Sequence, residues 1–199
     1  MSPKDAPAPS APRKPRADAA RNRAVLLDTA KRVFGDKGPA ASLDEIAKAA
    51  CLGIGTLYRH FPTRDALVEE VYRTETIQLA AAADTLLATQ PPVEALRQWL
   101  FLFIDYFKTK KIMAAAISAA AGGSATLYAI SGSLLNDTIA MLAARAVQSG
   151  AIHMTVEPID LLRAISGVAT MSTGPGGEEN ARQLINILIA GMAAPRTDS

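Results

Sequence analysis

Between Ser42 and Pro62 the chain has room for two short helices and a tight turn, and for little else. Ser42 and Glu45 form an S-x-x-E box, in which hydroxyl and carboxylate each satisfy a backbone N–H that a starting helix leaves open. The buried face behind that box is Leu43, Ile46, Ala47 and Ala50. Cys51-Leu52-Gly53 then makes the turn, a second helix runs from Ile54 towards Phe61, and Pro62 stops it. On a helical wheel with Leu57 at the origin and about 100° per residue, Phe61 falls at about 40°. These two define the anchored side. Gly55 and Arg59 lie opposite, with Thr56 and Tyr58 on the flanks.

Two short helices resting on a third make a helix-turn-helix, whose second helix fits the major groove of DNA. Gly55 lets the backbone approach a duplex closely. Arg59 can read guanine or hold a phosphate, and the hydroxyls of Thr56 and Tyr58 suit phosphates. For Tyr58 the alternative is a surface aromatic on a small domain. His60, beside the anchored side, serves either packing and capping or a phosphate.

Charge agrees with a polyanion partner for this part alone. Residues 1–64 hold twelve Lys and Arg against six Asp and Glu, whereas residues 65–199 hold nine against thirteen. The net +2 of the chain hides that asymmetry. Residues 1–17 are rich in proline and end in Arg13, Lys14 and Arg16, which reads as a disordered basic arm. Its alternatives are a solubilising tail and an arm touching phosphates or the minor groove.

The rest is helical too. Alanine and leucine dominate, and no run of alternating Val, Ile and Thr is long enough for a strand. The spacing predicts a first helix over 18–36 with Leu26, Ala30, Val33 and Phe34 inward, ended by Gly35, Gly38 and Pro39. Thr63 caps a long fourth helix over 64–87, roughly 35 Å in length. Further helices are predicted over 93–109, 112–121, 124–149 (bent near Gly132), 158–172 and 178–192, about nine in all. The expected organisation is an arm over 1–17, a DNA-binding domain over 18–64, a larger helical domain over 65–193 and a tail over 194–199. A single cysteine excludes an internal disulfide and suits a reducing cytosol. No apolar run reaches the roughly 18 residues of a membrane span, and the first residues lack the apolar segment of a secretion signal. The location expected is cytoplasmic.

The stretches Leu43-Asp44-Glu45-Ile46-Ala47, Gly55-Thr56-Leu57-Tyr58-Arg59-His60-Phe61-Pro62 and Arg64-Asp65-Ala66-Leu67 resemble the signature of TetR-family regulators, over about residues 21–70. The resemblance implies a DNA-binding domain of the first three helices, linked by the fourth to a ligand-binding domain. It implies a homodimer on a palindromic operator, released by an effector. By position it makes Ser42 and Arg64 phosphate contacts and places Gly53, Ile54 and the residues up to His60 on the recognition helix. Two positions depart from the pattern. Cys51 stands where the family usually has glycine, and Gly53 where it often has a Ser or Thr cap. Cys51 reads as a small half-buried turn residue, since no neighbouring cation in sequence lowers its pKa for oxidant sensing.

The larger domain is less diagnostic. Trp99, Phe103 and Phe107 form a stripe that reads first as core, while the resemblance puts an effector pocket among the fourth to eighth helices. Candidate lining residues are Trp99, Phe103, Phe107, Ile117, Tyr128 and Met171, which imply a small, largely apolar effector. His153 is expected to be solvated. The last two helices carry more apolar surface than one face needs. Leu161, Ile165, Val168, Leu184, Ile185, Leu188, Ile189 and Met192 are therefore candidates for a dimer interface, the alternative being burial within one protomer. An enzyme is disfavoured: one Cys and two His give no nucleophile pair and no metal cluster, and Gly174-Pro175-Gly176-Gly177 lacks the strand and lysine of a phosphate loop. No cofactor is expected. The composite expectation is an effector-released repressor, with a ligand-independent regulator or an activator as alternatives.

Overall fold

The computed structural model describes residues 15–119, 124–171 and 177–193, and among these it is all-α, with eight α-helices. They are α1 (Pro15–Lys37), α2 (Leu43–Ala49), α3 (Ile54–His60), α4 (Arg64–Thr89), α5 (Pro92–Ala119), α6 (Ser124–Gln148), α7 (Pro158–Met171) and α8 (Gly177–Gly191). Helix α1 starts before Asp18, so residues 15–17, expected in the disordered arm, are helical. The stretches expected as separate helices over 93–109 and 112–121 join, as far as Ala119, in the single helix α5. Thr109 to Ile112 contain no proline or glycine, so nothing breaks the helix there. Likewise α6 runs through Gly132 unbroken.

Caps set the boundaries of the small helices. Ser42 Oγ accepts from the Glu45 N–H at 3.2 Å, and a Glu45 carboxylate oxygen accepts from the Ser42 N–H at 3.1 Å. Thr63 Oγ1 accepts from the Ala66 N–H at 3.0 Å and starts α4 directly after Pro62. Helix α2 closes with a Schellman pair of hydrogen bonds, Leu52 N–H to Ala47 C=O and Cys51 N–H to Lys48 C=O, both 3.0 Å. That motif needs a left-handed residue after the cap, and Cys51 supplies it at φ 55°. Cys51 is also exposed, not half-buried as its sequence suggests.

Leu26, Ala30 and Phe34 of α1, Ile46 and Ala47 of α2, and Leu57 and Phe61 around α3 form the small core, continued into α4 by Leu67, Val68 and Val71. Helix α4 runs on against α5 and α6, and α5 meets α6, α7 and α8. Helices α1 and α4 are also bridged by ion pairs, Arg23 with Glu70 and Lys31 with Glu75. Past α6, the chain around Ile152 pairs with Ala193 just beyond α8, and the His153 N–H donates to the Met192 C=O at 2.7 Å. His153 itself is exposed, as expected. No helix among the described residues is long and apolar enough to cross a membrane.

The larger domain corrects several assignments. Leu161, Ile165, Ile185 and Ile189 are buried within their own protomer, because α7 and α8 turn these residues towards α5 and each other. They leave no side-chain surface for a partner. Val168, Leu184, Leu188 and Met192 are half-buried, and Ile187, part of the same apolar arc of the last helix, is 67% exposed. Met171 lies at the surface, 84% exposed, at the end of α7, so it lines no interior pocket of the protomer. Trp99 is fully buried and its indole N–H donates to the Leu79 C=O at 2.8 Å. It stacks on Phe103, which touches Tyr106 and Phe107, so the stripe is a core ladder. The side chains of Ile117 and Tyr128 lie outside the described residues, as do residues 1–14 and the loop over 172–176.

A left-handed conformation costs an L-residue roughly 1–2 kcal/mol, which glycine avoids at some cost in unfolded-state entropy. Cys51→Gly is expected to raise unfolding stability by about 1 kcal/mol, seen as a higher urea midpoint at unchanged slope. A lower midpoint would show that the thiol contributes more than the strain removes.

Candidate nucleic-acid interface

Helix α3 is only two turns long and cannot hold itself. Leu57 at 0% and Phe61 at 2% exposure fix it to α1, α2 and α4, and on its other side Ile54, Gly55, Tyr58 and Arg59 are exposed. Thr56 and His60 are half-buried at the edges. Gly53 caps α3 with extended backbone at φ −70°, ψ 144° and no side-chain hydrogen bond. The exposed side of α3 thus gathers a guanidinium, a phenol and a bare backbone position on one short rod.

The remaining assigned residues are placed differently. Ser42 is exposed at the start of α2, with its hydroxyl engaged in the capping box. Arg64 is half-buried, and its guanidinium lies over the Phe34 ring, 5.2 Å from the centroid. Its position braces α4 against α1 by a cation–π contact.

Four supporting residues were not found from sequence. Arg23 of α1 lies over the Phe61 ring at 5.0 Å and pairs with Glu70 of α4 at 3.0 Å. Glu70 also holds Arg73 at 2.7 Å. One α4 carboxylate thereby positions the α1 arginine that covers the end of α3. Lys37 Nζ donates to Glu45 Oε1 at 2.6 Å and ties the end of α1 to the start of α2. The Glu70–Arg73 spacing suggests a helical pair, but the links through Arg23 and Lys37 join different helices and have no periodic signature.

An anchored short helix with an exposed polar and cationic side, set by a capped partner helix, defines a helix-turn-helix DNA-binding protein. Residues 26–71 match the family described as bacterial regulatory proteins, tetR family, and residues 91–194 match the SbtR-like transcriptional regulator C-terminal domain. The chain belongs to the TetR family; it is a transcriptional regulator and not an enzyme. It is similar to a TetR transcriptional regulator of Streptomyces coelicolor, with 37% identity, coverage of 87% of this chain and 99% of that one, and a TM-score of 0.79. A TetR regulatory protein of Mycobacterium vanbaalenii is 27% identical over 90% of this chain and 99% of its own, with a TM-score of 0.75. An HTH-type transcriptional regulator of Staphylococcus aureus is 33% identical over 85 residues, 41% of this chain and 44% of that protein. The chain spans less than half the length of such curated relatives.

The hydrogen bond from Lys37, then that from the Ser42 backbone, hold the Glu45 carboxyl at about 2, below its ordinary 4.5. A depressed folded-state value means that this group stabilises the fold above its unfolded value and loses that contribution as pH falls. The window is between pH 4.5 and about 2. An NMR titration of the Glu45 side chain should give a midpoint at about 2, moving upwards in Lys37→Met. A midpoint unmoved by that substitution would remove Lys37 as the cause.

Proposed function

We propose that this protein binds a palindromic operator as a homodimer and represses transcription until a small molecule releases it. The observation that carries the reading is the exposed side of α3, where Tyr58 is 50% exposed and Arg59 is exposed beside Gly55. Arg59 would read a base edge or a phosphate, Tyr58 and Thr56 would hold phosphates, and Gly53 and Ile54 would meet the backbone first. Ser42, His60 and Arg64 would border the same duplex. Half-sites should lie roughly 34–36 Å apart, one helical turn.

The dimer reading rests on the outer sides of α7 and α8, where Val168, Leu184, Leu188 and Met192 remain partly accessible around the exposed Ile187. Two such helices from each protomer would bury that surface together. The effector reading draws support from a polar knot within the apolar α4–α6 interior. Thr76 Oγ1 lies 3.2 Å from Tyr106 Oη and 3.5 Å from Ser131 Oγ, and all three residues are buried. Buried hydroxyls cost free energy unless bonded, so they suit a place where hydrogen bonds can be exchanged. An effector acts only through unequal affinity for the two arrangements of the dimer, and α4 belongs to both parts of the chain.

Selection of bound duplexes from a random pool at fixed salt tests the reading. The expected product is a palindrome. Arg59→Ala and Tyr58→Phe together should weaken binding to it by roughly tenfold or more, with the dimer intact by light scattering. Full-strength binding by the double variant would reject these contacts, and an unselected pool would reject operator recognition.

A further inference from the structure

Arg23 is one side chain that joins three helices. It belongs to α1, its guanidinium lies over the Phe61 ring at the end of α3, and its Nη2 is 3.0 Å from Glu70 Oε1 of α4. Glu70 is gripped in turn. Arg73 Nη2 donates to its two carboxylate oxygens at 2.8 and 2.7 Å, and Arg73 Nε donates to Oε2 at 3.1 Å. The Glu70 side chain is 17% exposed, against 38% for Arg23 and 59% for Arg73. The least solvated member sits at the centre, where charge is screened least.

Close packing does not do this work. An open hollow of about 300 Å³ lies between α1, the end of α3 and α4, with Arg23, Phe61 and Glu70 in its lining. Phe61 and Ala66 are the apolar part of that lining, and His60 and charged side chains make up the rest. On this side the ring is therefore held by a guanidinium. Phe61 follows α3 directly, and its N–H donates to the Leu57 C=O at 2.8 Å, so ring and helix move as one. Tyr58 and Arg59 stand within one turn before it. A tilt at Phe61 is carried to both.

We propose that Arg23 and Glu70 are positioning residues for DNA recognition: Glu70 fixes the guanidinium, the guanidinium fixes the Phe61 ring, and the ring sets the angle at which Tyr58 and Arg59 meet a duplex. The proposal rests on the reading of α3 as the helix that enters the operator. Arginine suits this post because its plane can lie on a ring while its edge meets a carboxylate, whereas lysine brings a charge without a plane.

The test is operator affinity of the full chain at fixed salt, by fluorescence anisotropy on the selected duplex. Glu70→Gln removes a negative charge. If the field of the protein alone mattered, or if the released Arg23 took a phosphate, binding to a polyanion would tighten. The expected result has the opposite sign, a loss of roughly threefold. Arg23→Lys keeps the charge and should lose a similar factor. The double variant should bind no more weakly than the weaker single one, because both residues act through one contact. In the DNA-free protein, Glu70→Gln and Arg23→Lys should each move the backbone amide resonances of Gly55 and Arg59, which a loss of stability alone would leave in place. Unchanged or tighter binding by Glu70→Gln, or additive losses in the double variant, would overturn the proposal. If the wild type selects no duplex, the operator reading fails, and the amide resonances alone decide whether Arg23 and Glu70 set α3, unmoved resonances refuting it.

Discussion

Leu57 and Phe61 hold α3 in place, and the exposure of everything else on that helix follows from their burial. A two-turn helix has too few internal hydrogen bonds to persist in water, so its orientation is set by what it buries. The core it enters is built from α1 and α2 and continues into α4. The exposed row of Gly55, Tyr58 and Arg59 is therefore as rigid as that core. Truncating a fully buried leucine costs roughly 2–5 kcal/mol, a large share of the stability of a small domain. The side that would meet DNA is consequently governed by residues that never touch it.

The helix-turn-helix was legible because its signals are local. Pro62, Thr63, the Ser42–Glu45 box and the Leu57–Phe61 spacing each act within one turn of chain, and each corresponds to a cap or a buried face in the structure. What escaped was long-range. Arg23 over Phe61 and Lys37 on Glu45 join different helices, so no periodicity announces them. Cys51 illustrates a subtler case: its identity marked a departure from the glycine expected there, while the left-handed backbone persisted because the Schellman hydrogen bonds demand it.

In the larger domain, hydrophobic pattern alone could not separate inside from interface. Leu161, Ile165, Ile185 and Ile189 share their helices with Val168, Leu184 and Leu188, and only the packing against α5 sorts one set from the other. The aromatic stripe met the same difficulty, since Trp99 and Phe103 have the spacing of either core or pocket. The indole hydrogen bond to Leu79 resolves it, tying the stripe to the α4 backbone. Polar residues were read too lightly: Thr76 meets both Tyr106 and Ser131 across three helices at sequence separations that no window spans.

The seam between α1 and α4 is partly ionic, with Arg23 on Glu70 and Lys31 on Glu75, and both cations keep substantial solvent exposure. Exposed ion pairs weaken as the Debye length shortens, from about 10 Å at 0.1 M to 3 Å at 1 M. Mobile ions would then act on the molecule in two places. Besides competing for phosphates, they would loosen the mounting that carries the reading head. The slope of affinity against salt would overstate the phosphates neutralised, the excess measuring how much stiffness the seam lends to α3.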